Sequence, residues 1–191
     1  DYLKFLQSNE KNINDKNSFI VAAFYKFFDL KNIADFQDSL KLIFSNTSVK
    51  GTILLANEGI NGTVAGVPRE IGKVLNELWN LDSLYDLQPK YSFAHQNPFF
   101  RMKIRLKKEI VTLGVKNVSP NKDVGQYIKP EKWNRLLDDE SLILIDTRND
   151  YEVSIGSFEK AINPNIKSFR EFPNWVAENL INKDPDIKKK K

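Results

Sequence analysis

The 191-residue chain has no cysteine, one histidine and one methionine, and each shortage excludes a kind of chemistry. Without cysteine these residues offer no disulfide, no thiolate metal ligand and no cysteine nucleophile, and a single histidine rules out a histidine-rich metal site. No metal centre is expected. Long apolar runs are missing as well: the longest, Phe19 to Phe28, falls well short of the ~20 residues that a membrane-spanning helix needs, so no membrane partner is expected. The lack of cysteine, and of a basic stretch leading into an apolar one at the start, favours an intracellular, cytoplasmic setting. The chain opens on Asp1 rather than methionine, as a fragment or trimmed chain would. What it does contain, 41% hydrophobic and 12% aromatic residues, suffices for two small cores, and its net charge of +4 is unevenly spread.

The first half is arranged around Gly51 to Gly66, GTILLANEGINGTVAG. Two β-rich runs, Thr52 to Ala56 and Asn61 to Ala65, flank Asn57-Glu58-Gly59-Ile60-Asn61-Gly62, whose glycines and asparagines suit the positive φ angles of a tight reversal. A β-hairpin is expected. Before it, Phe19 to Phe28 is almost continuously apolar and reads as a strand buried on both faces or in mid-sheet, followed by a helix from Asn32 with Ile33, Phe36, Leu40, Ile43 and Phe44 as its stripe. After it, Pro68 opens a second helix whose stripe is Ile71, Val74, Leu75 and Leu78. With a final strand near Phe99 to Lys108, the order is βαββαβ, the ferredoxin-like arrangement. Residues 1–17 read as a polar lead-in, residues 18–110 as the ferredoxin-like domain.

In FFRMKIRLKK the alternation puts Arg101, Lys103, Arg105 and Lys107 on one side of a strand and Met102, Ile104 and Leu106 on the other. Between Lys90 and Lys122 there are eight Lys or Arg and one acid, Glu109, an excess larger than that of the whole chain. Same-side residues on a strand lie about 7 Å apart, near the spacing of successive phosphates, and Tyr91, Phe93, Phe99 and Phe100 add rings able to stack on bases. A nucleic-acid surface and a merely solvated strand face are both compatible with this pattern. The turn with Asn57, Glu58 and Asn61 is the alternative substrate-facing element.

Gly114, Asn117, Ser119, Pro120 and Asn121 break both periodicities, so residues 111–124 read as a linker and residues 125–191 as a second, α/β unit. There Pro130 opens a short helix through Trp133, Leu136 and Leu137, and Leu142 to Ile145 reads as a buried strand ending at Asp146. Asp146, Arg148 and Glu152 then stand at a strand end, where an α/β sheet commonly meets a ligand; an ion-paired brace is the reading their charges favour over direct chemistry.

Asp146-Thr147-Arg148, Glu152, Gly156, Ala161 and Asn163 resemble the opening motif of rhodanese-type domains, with Ser157, Phe158 and Lys160 departing from the His, Ile and Gly of that pattern. Together with LLANEGINGTVAG, FFRMKIRLKKEIVTLG, DTRNDYEVSIGSFEKAINP and KSFREFPNW, the chain resembles the rhodanese-domain tRNA uridine hydroxylases from about Phe19 to Trp175. The resemblance implies an acylphosphatase-like, ferredoxin-like domain followed by a rhodanese-like domain. It also implies hydroxylation of the wobble uridine of tRNA to 5-hydroxyuridine, with molecular oxygen as co-substrate; it specifies neither metal nor flavin. With such a function Asp146, Arg148 and Glu152 are the candidates for active-site support, and the cationic strand face of Arg101, Lys103, Arg105 and Lys107, read from its spacing, is the candidate RNA-binding surface.

In that family the reactive cysteine lies in a loop after the next strand. No residue here matches it, so this chain is expected to hold the scaffold without the nucleophile and to be inactive alone. Lys188 to Lys191 would stand where that next strand begins. A rhodanese-type sulfurtransferase acting on small thiols and a noncatalytic RNA-binding module are the two alternatives.

Overall fold

The computed structural model describes residues 2–9, 18–115, 125–139 and 141–182. Residues 10–17 of the expected lead-in, most of the expected linker, and Lys188 to Lys191 lie outside the described residues. The chain divides near Val111 and Thr112 into two units.

The first unit holds helix α1 (Tyr2–Ser8), strand β1 (Phe19–Phe27), helix α2 (Ile33–Ser45), strands β2 (Lys50–Ala56) and β3 (Gly59–Gly66), helix α3 (Pro68–Trp79), and strands β4 (Lys90–Ala94) and β5 (Met102–Leu106). The strands form one sheet in the order β4-β1-β3-β2-β5. β1 pairs antiparallel with β3 and β4, β2 antiparallel with β3, and β5 parallel with β2. The βαββαβ order is therefore present, but its fourth strand is β4, not the Phe99 to Lys108 run expected from the sequence. That run supplies β5, which extends the opposite edge. The misreading has a physical cause: both strands are five residues long and both alternate, but the β5 run sets aliphatic residues against cations within a longer alternating stretch, and pairing with a distant strand leaves no local mark.

Both helical stripes face the sheet. Ile71, Val74, Leu75 and Leu78 of α3 are fully buried, as are Leu40 of α2 and Ile20, Ile53, Leu55, Ile60 and Val64 of the strands. Each such side chain contributes about 1.5–3 kcal/mol by leaving water. Register and alternation assign Ile20, Ala22 and Phe24, Gly51, Ile53 and Leu55, Ile60, Gly62 and Val64, and Met102 and Ile104 to the helix-covered face. β1 is thus not buried on both faces: Tyr25, on its other face, is 49% exposed. Leu106, expected in the core, is 47% exposed at the end of the edge strand, where α2 no longer covers it.

Helix α1 belongs to this core instead of leading into it. Tyr2 is buried and its hydroxyl donates to the Pro68 carbonyl at 2.5 Å, while the Phe5 ring lies 4.8 Å from that of Tyr91 and 5.1 Å from that of Phe93. Burial raises the Tyr2 and Tyr91 phenols, the latter pushed up to about 12.

The hairpin turn is two residues, Asn57 and Glu58, closed by the Ala56–Gly59 pair. Neither turn residue has positive φ; that conformation falls on Gly59, φ +143°, where a Cβ would lie 2.1 Å from the Lys26 carbonyl oxygen. The turn carbonyls instead anchor the chain leaving β1, for Phe28 N–H donates to Glu58 O at 2.9 Å and Leu30 N–H to Asn57 O at 2.8 Å.

The second unit contains helices α4 (Pro130–Leu137), α5 (Asp150–Val153) and α6 (Phe172–Val176), a 3-10 turn at Phe169–Glu171 and a wide π turn at Ala177–Ile181. Leu142 to Ile145 does not form the buried strand expected of it. Among the described residues it makes one parallel bridge, Ile145 to Ile162, and Leu142 and Ile143 remain 44% and 49% exposed. A parallel strand becomes buried only with neighbours on both sides and helices above and below, and a single bridge provides neither.

Candidate nucleic-acid interface

The sheet face away from α2 and α3 collects positive charge. Thr52 pairs with Lys103 and Leu54 with Arg105, so both cations share a face with Lys50, Thr52 and Leu54 of β2. Across β3 and β1 the same face carries Asn61, Thr63 and Ala65, then Val21, Ala23 and Tyr25, and it ends at Lys90 and Ser92 of β4. None of these strand residues is acidic. The described ion pairs, Lys26–Asp86, Lys41–Asp38 and Arg148–Asp146, include no cation of this face. Arg101 and Lys107 flank β5, tied to β2 through Gly51 N–H to Arg101 O at 3.3 Å and Lys107 N–H to Leu55 O at 2.7 Å. The strip of Arg101, Lys103, Arg105 and Lys107 therefore runs along one sheet edge, outside the ion pairs of the described residues.

The aromatic rings divide. Tyr91 and Phe93 sit on the helix-covered side against Phe5, whereas Phe100, next to Arg101, is 98% exposed. Asn97 fixes the connection before it, donating to Ala65 O at 3.2 Å and accepting from Phe99 N–H at 3.0 Å.

The hairpin residues proposed as a substrate-facing turn are occupied with structure. Glu58 Oε1 accepts from Ile110 N–H at 2.7 Å, and Asn61 Nδ2 donates to Ile110 O at 3.0 Å. This clamp holds buried Ile110 against the Asn61 end of the open face. Asn57 is exposed, with its carbonyl engaged by Leu30.

In the second unit Asp146 and Arg148 form a two-pronged pair, Nε to Oδ1 at 2.9 Å and Nη2 to Oδ2 at 2.6 Å. Ser157 Oγ donates to Asp146 Oδ2 at 2.7 Å, and Arg148 Nη2 also donates to Gly156 O at 2.6 Å. The Arg148 guanidinium, then the Ser157 hydroxyl, hold the Asp146 carboxyl far below the usual carboxylate range. Such a carboxylate is a poor proton acceptor and a good brace for the 146–157 loop. Glu152 acts on Arg148 through its charge, after the larger effect of Asp146, while its carboxylate accepts from Asn149 N–H at 3.3 Å in a capping box that starts α5. Ser157, one of the departures from the rhodanese-type pattern, thus has a structural duty toward Asp146.

Sequence reasoning missed Lys50, Lys90 and Tyr25 as members of the cationic face. Their signal was parity: each follows the alternation of its strand, but only the register shows that the strands put them on one surface.

Residues 19–110 match the family of the UPF0176 acylphosphatase-like domain. Along 172 residues, 90% of this chain, it is 48% identical to the tRNA uridine(34) hydroxylase of Acaryochloris marina, and along 176 residues, 92% of this chain, 51% identical to that of Bartonella quintana. These alignments cover 56% and 57% of the two relatives, so the chain spans just over half their length. A solved acylphosphatase from Coxiella burnetii aligns with 48% of this chain and 96% of its own at 12% identity, with a TM-score of 0.36. About half of its residues are identical, along nine-tenths of its length, to those of proteins named tRNA uridine(34) hydroxylase, and residues 19–110 of its first unit are similar to the UPF0176 acylphosphatase-like domain.

Proposed function

We propose that this chain is the RNA-engaging part of a cytoplasmic enzyme that hydroxylates the wobble uridine of tRNA to 5-hydroxyuridine with molecular oxygen. The observation that carries the reading is the identity of about one-half with proteins named for that reaction. The strip of Arg101, Lys103, Arg105 and Lys107 supports it, since a polyanion is the natural partner of a row of cations of one sign, and none of the four is in an ion pair of the described residues. Within this reading β5 supplies phosphate contacts, the Asp146–Arg148–Ser157 brace fixes a loop of a rhodanese-like unit, and the reactive cysteine lies outside these residues, which contain none.

The test is nucleoside mass analysis of tRNA from cells lacking the gene, complemented with the full-length protein or with the 191-residue chain. Full-length protein should restore 5-hydroxyuridine and the short chain should not. Undiminished 5-hydroxyuridine in the deletion strain, or restoration by the short chain, would refute the assignment. RNA contact is tested separately with Arg101→Gln, Lys103→Gln and Arg105→Gln combined. Losing three phosphate contacts should flatten the dependence of log affinity on log salt by about 2 to 3.

A further inference from the structure

We propose that the open face of the first unit's sheet is a platform for a single-stranded RNA segment, with a base stacked on Tyr25 and phosphates held by Lys50 and Lys90 as well as by β5. The proposal rests on the reading that this domain binds RNA, and it names the form of RNA and the surface.

Register carries the argument. One row across all five strands reads Lys90, Ala23, Thr63, Thr52 and Lys103, the next contains Tyr25, Asn61, Leu54 and Arg105, and Lys50 lies beside Ala65 and Val21. Strands about 4.8 Å apart put Lys90 and Lys103 about 19 Å from each other, with a low floor of alanine and threonine between them. Small side chains let a nucleotide approach the backbone, the threonine hydroxyls provide donors and acceptors, and cations bound the strip on both edges. Tyr25 stands at the border of this floor on β1, its ring 49% exposed and steadied by Phe27 at 6.1 Å, edge to face. A half-exposed ring on an interior strand is reached more readily by a base that has left its pair than by one inside a duplex, which separates this surface from one suited to a duplex. At the Asn61 end the floor is closed by Ile110, held by Glu58 and Asn61, and at the other end Ala65, whose carbonyl accepts from Asn97, is fully buried, so the open area is the row of Ala23, Thr63 and Thr52 between Lys90 and Lys103, with Lys50 at its margin. Lys26, by contrast, belongs to the helix-covered side of β1 and is paired with Asp86.

The experiment measures fluorescence anisotropy of the 191-residue chain with labelled decauridylate and with a ten-base-pair RNA duplex, across salt concentrations. Tyr25→Leu, which keeps apolar bulk without a ring, should weaken single-strand binding about five- to tenfold and leave duplex binding unchanged, while Tyr25→Phe should bind like the parent. Lys50→Gln with Lys90→Gln should flatten the salt dependence by about 1.4. Thermal unfolding confirms that each variant is folded; the lysine pair keeps the question decidable if Tyr25→Leu is not. Unchanged single-strand affinity in the folded Tyr25→Leu and lysine-pair variants, alongside weakening by the β5 triple Gln variant, would overturn the platform and leave the RNA reading standing. Equal losses on single strand and duplex for Tyr25→Leu would overturn the stacked base. If the β5 triple variant also binds as the parent does, the RNA reading itself fails.

Discussion

Replacing Ile104 by Asp should detach β5 and leave the rest of the sheet intact. Ile104 packs against the main core from an edge strand whose only sheet neighbour is β2, and Gln37 of α2 donates to its carbonyl at 3.0 Å. The side chain is partly buried, so losing its apolar contacts costs about 1–2 kcal/mol, and setting a carboxylate against that core adds about 1–3 kcal/mol. A total near 3 kcal/mol is comparable to what holds an edge strand in place but smaller than the 5–15 kcal/mol of a whole domain. The strands β1 and β3 keep their fully buried Ile20, Ile60 and Val64, and α3 its Leu75 and Leu78, on elements that do not pair with β5. Hydrogen exchange followed by NMR reads the outcome. Exchange of the Lys107 and Gly51 amides, which bond across the β2–β5 pair, should quicken by roughly 100-fold, from 3 kcal/mol at about 1.4 kcal/mol per decade, while amides shared by β1 and β3 keep their protection. Loss of protection in β1 and β3 together with β5 would show that β5 is part of the cooperative core, and the reasoning from edge position would be wrong.

Glu58→Ala combined with Asn61→Ala should cost about 2–4 kcal/mol in urea unfolding, because the amide and carbonyl of buried Ile110 lose their partners; a change under 0.5 kcal/mol would mean water replaces them. Phe5→Ala should lower the melting temperature of the first unit by roughly 10 °C through lost contact with Tyr91 and Phe93, and an unchanged melt would make α1 a passenger. Ser157→Ala should raise the Asp146 carboxyl toward the usual carboxylate range, measured by carbon NMR, since one of the hydrogen bonds lowering it is gone. Because the folded value lies below the unfolded one, this group stabilises the unit at neutral pH. That contribution fades as the pH falls below the ordinary carboxylate range, and its loss should be complete at a higher pH in the variant.

What could be read from the sequence was whatever repeats locally. The stripes of α2 and α3 and the β2–β3 hairpin announce themselves through spacing, and the structure buries Leu40, Phe44, Ile71, Val74, Leu75 and Leu78 accordingly. Helix α1 had a signal that composition hid: Tyr2, Phe5 and Leu6 stand at helical spacing within a polar stretch. β4 had only one short alternation, Lys90 to Ala94, between Pro89 and Pro98, and so its place went to the β5 run with its sharper contrast of aliphatic and cationic residues. Long-range partners were illegible in principle. Neither the capture of Ile110 by Glu58 and Asn61 nor the bond from Ser157 to Asp146 leaves a periodic trace, although both decide whether a polar residue serves the fold or faces a ligand.

An edge strand rich in Lys and Arg has an explanation that involves no ligand, because charge on an exposed edge prevents other chains from pairing with it. Repulsion among neighbours about 7 Å apart is under 1 kcal/mol per pair in water and is reduced further by salt, so the fold tolerates such a strip cheaply. Edge protection accounts for charge on β5, yet it works equally well with acids or with alternating signs. It also has no use for Lys50, which belongs to β2, a strand with partners on both sides. A single sign carried from β5 onto β2 and reappearing at Lys90 on the far edge is a property of the face and not of the edge. The surface property that such a face matches is a negative one spread over several repeating charges, which a nucleic-acid strand has and a small anionic metabolite does not.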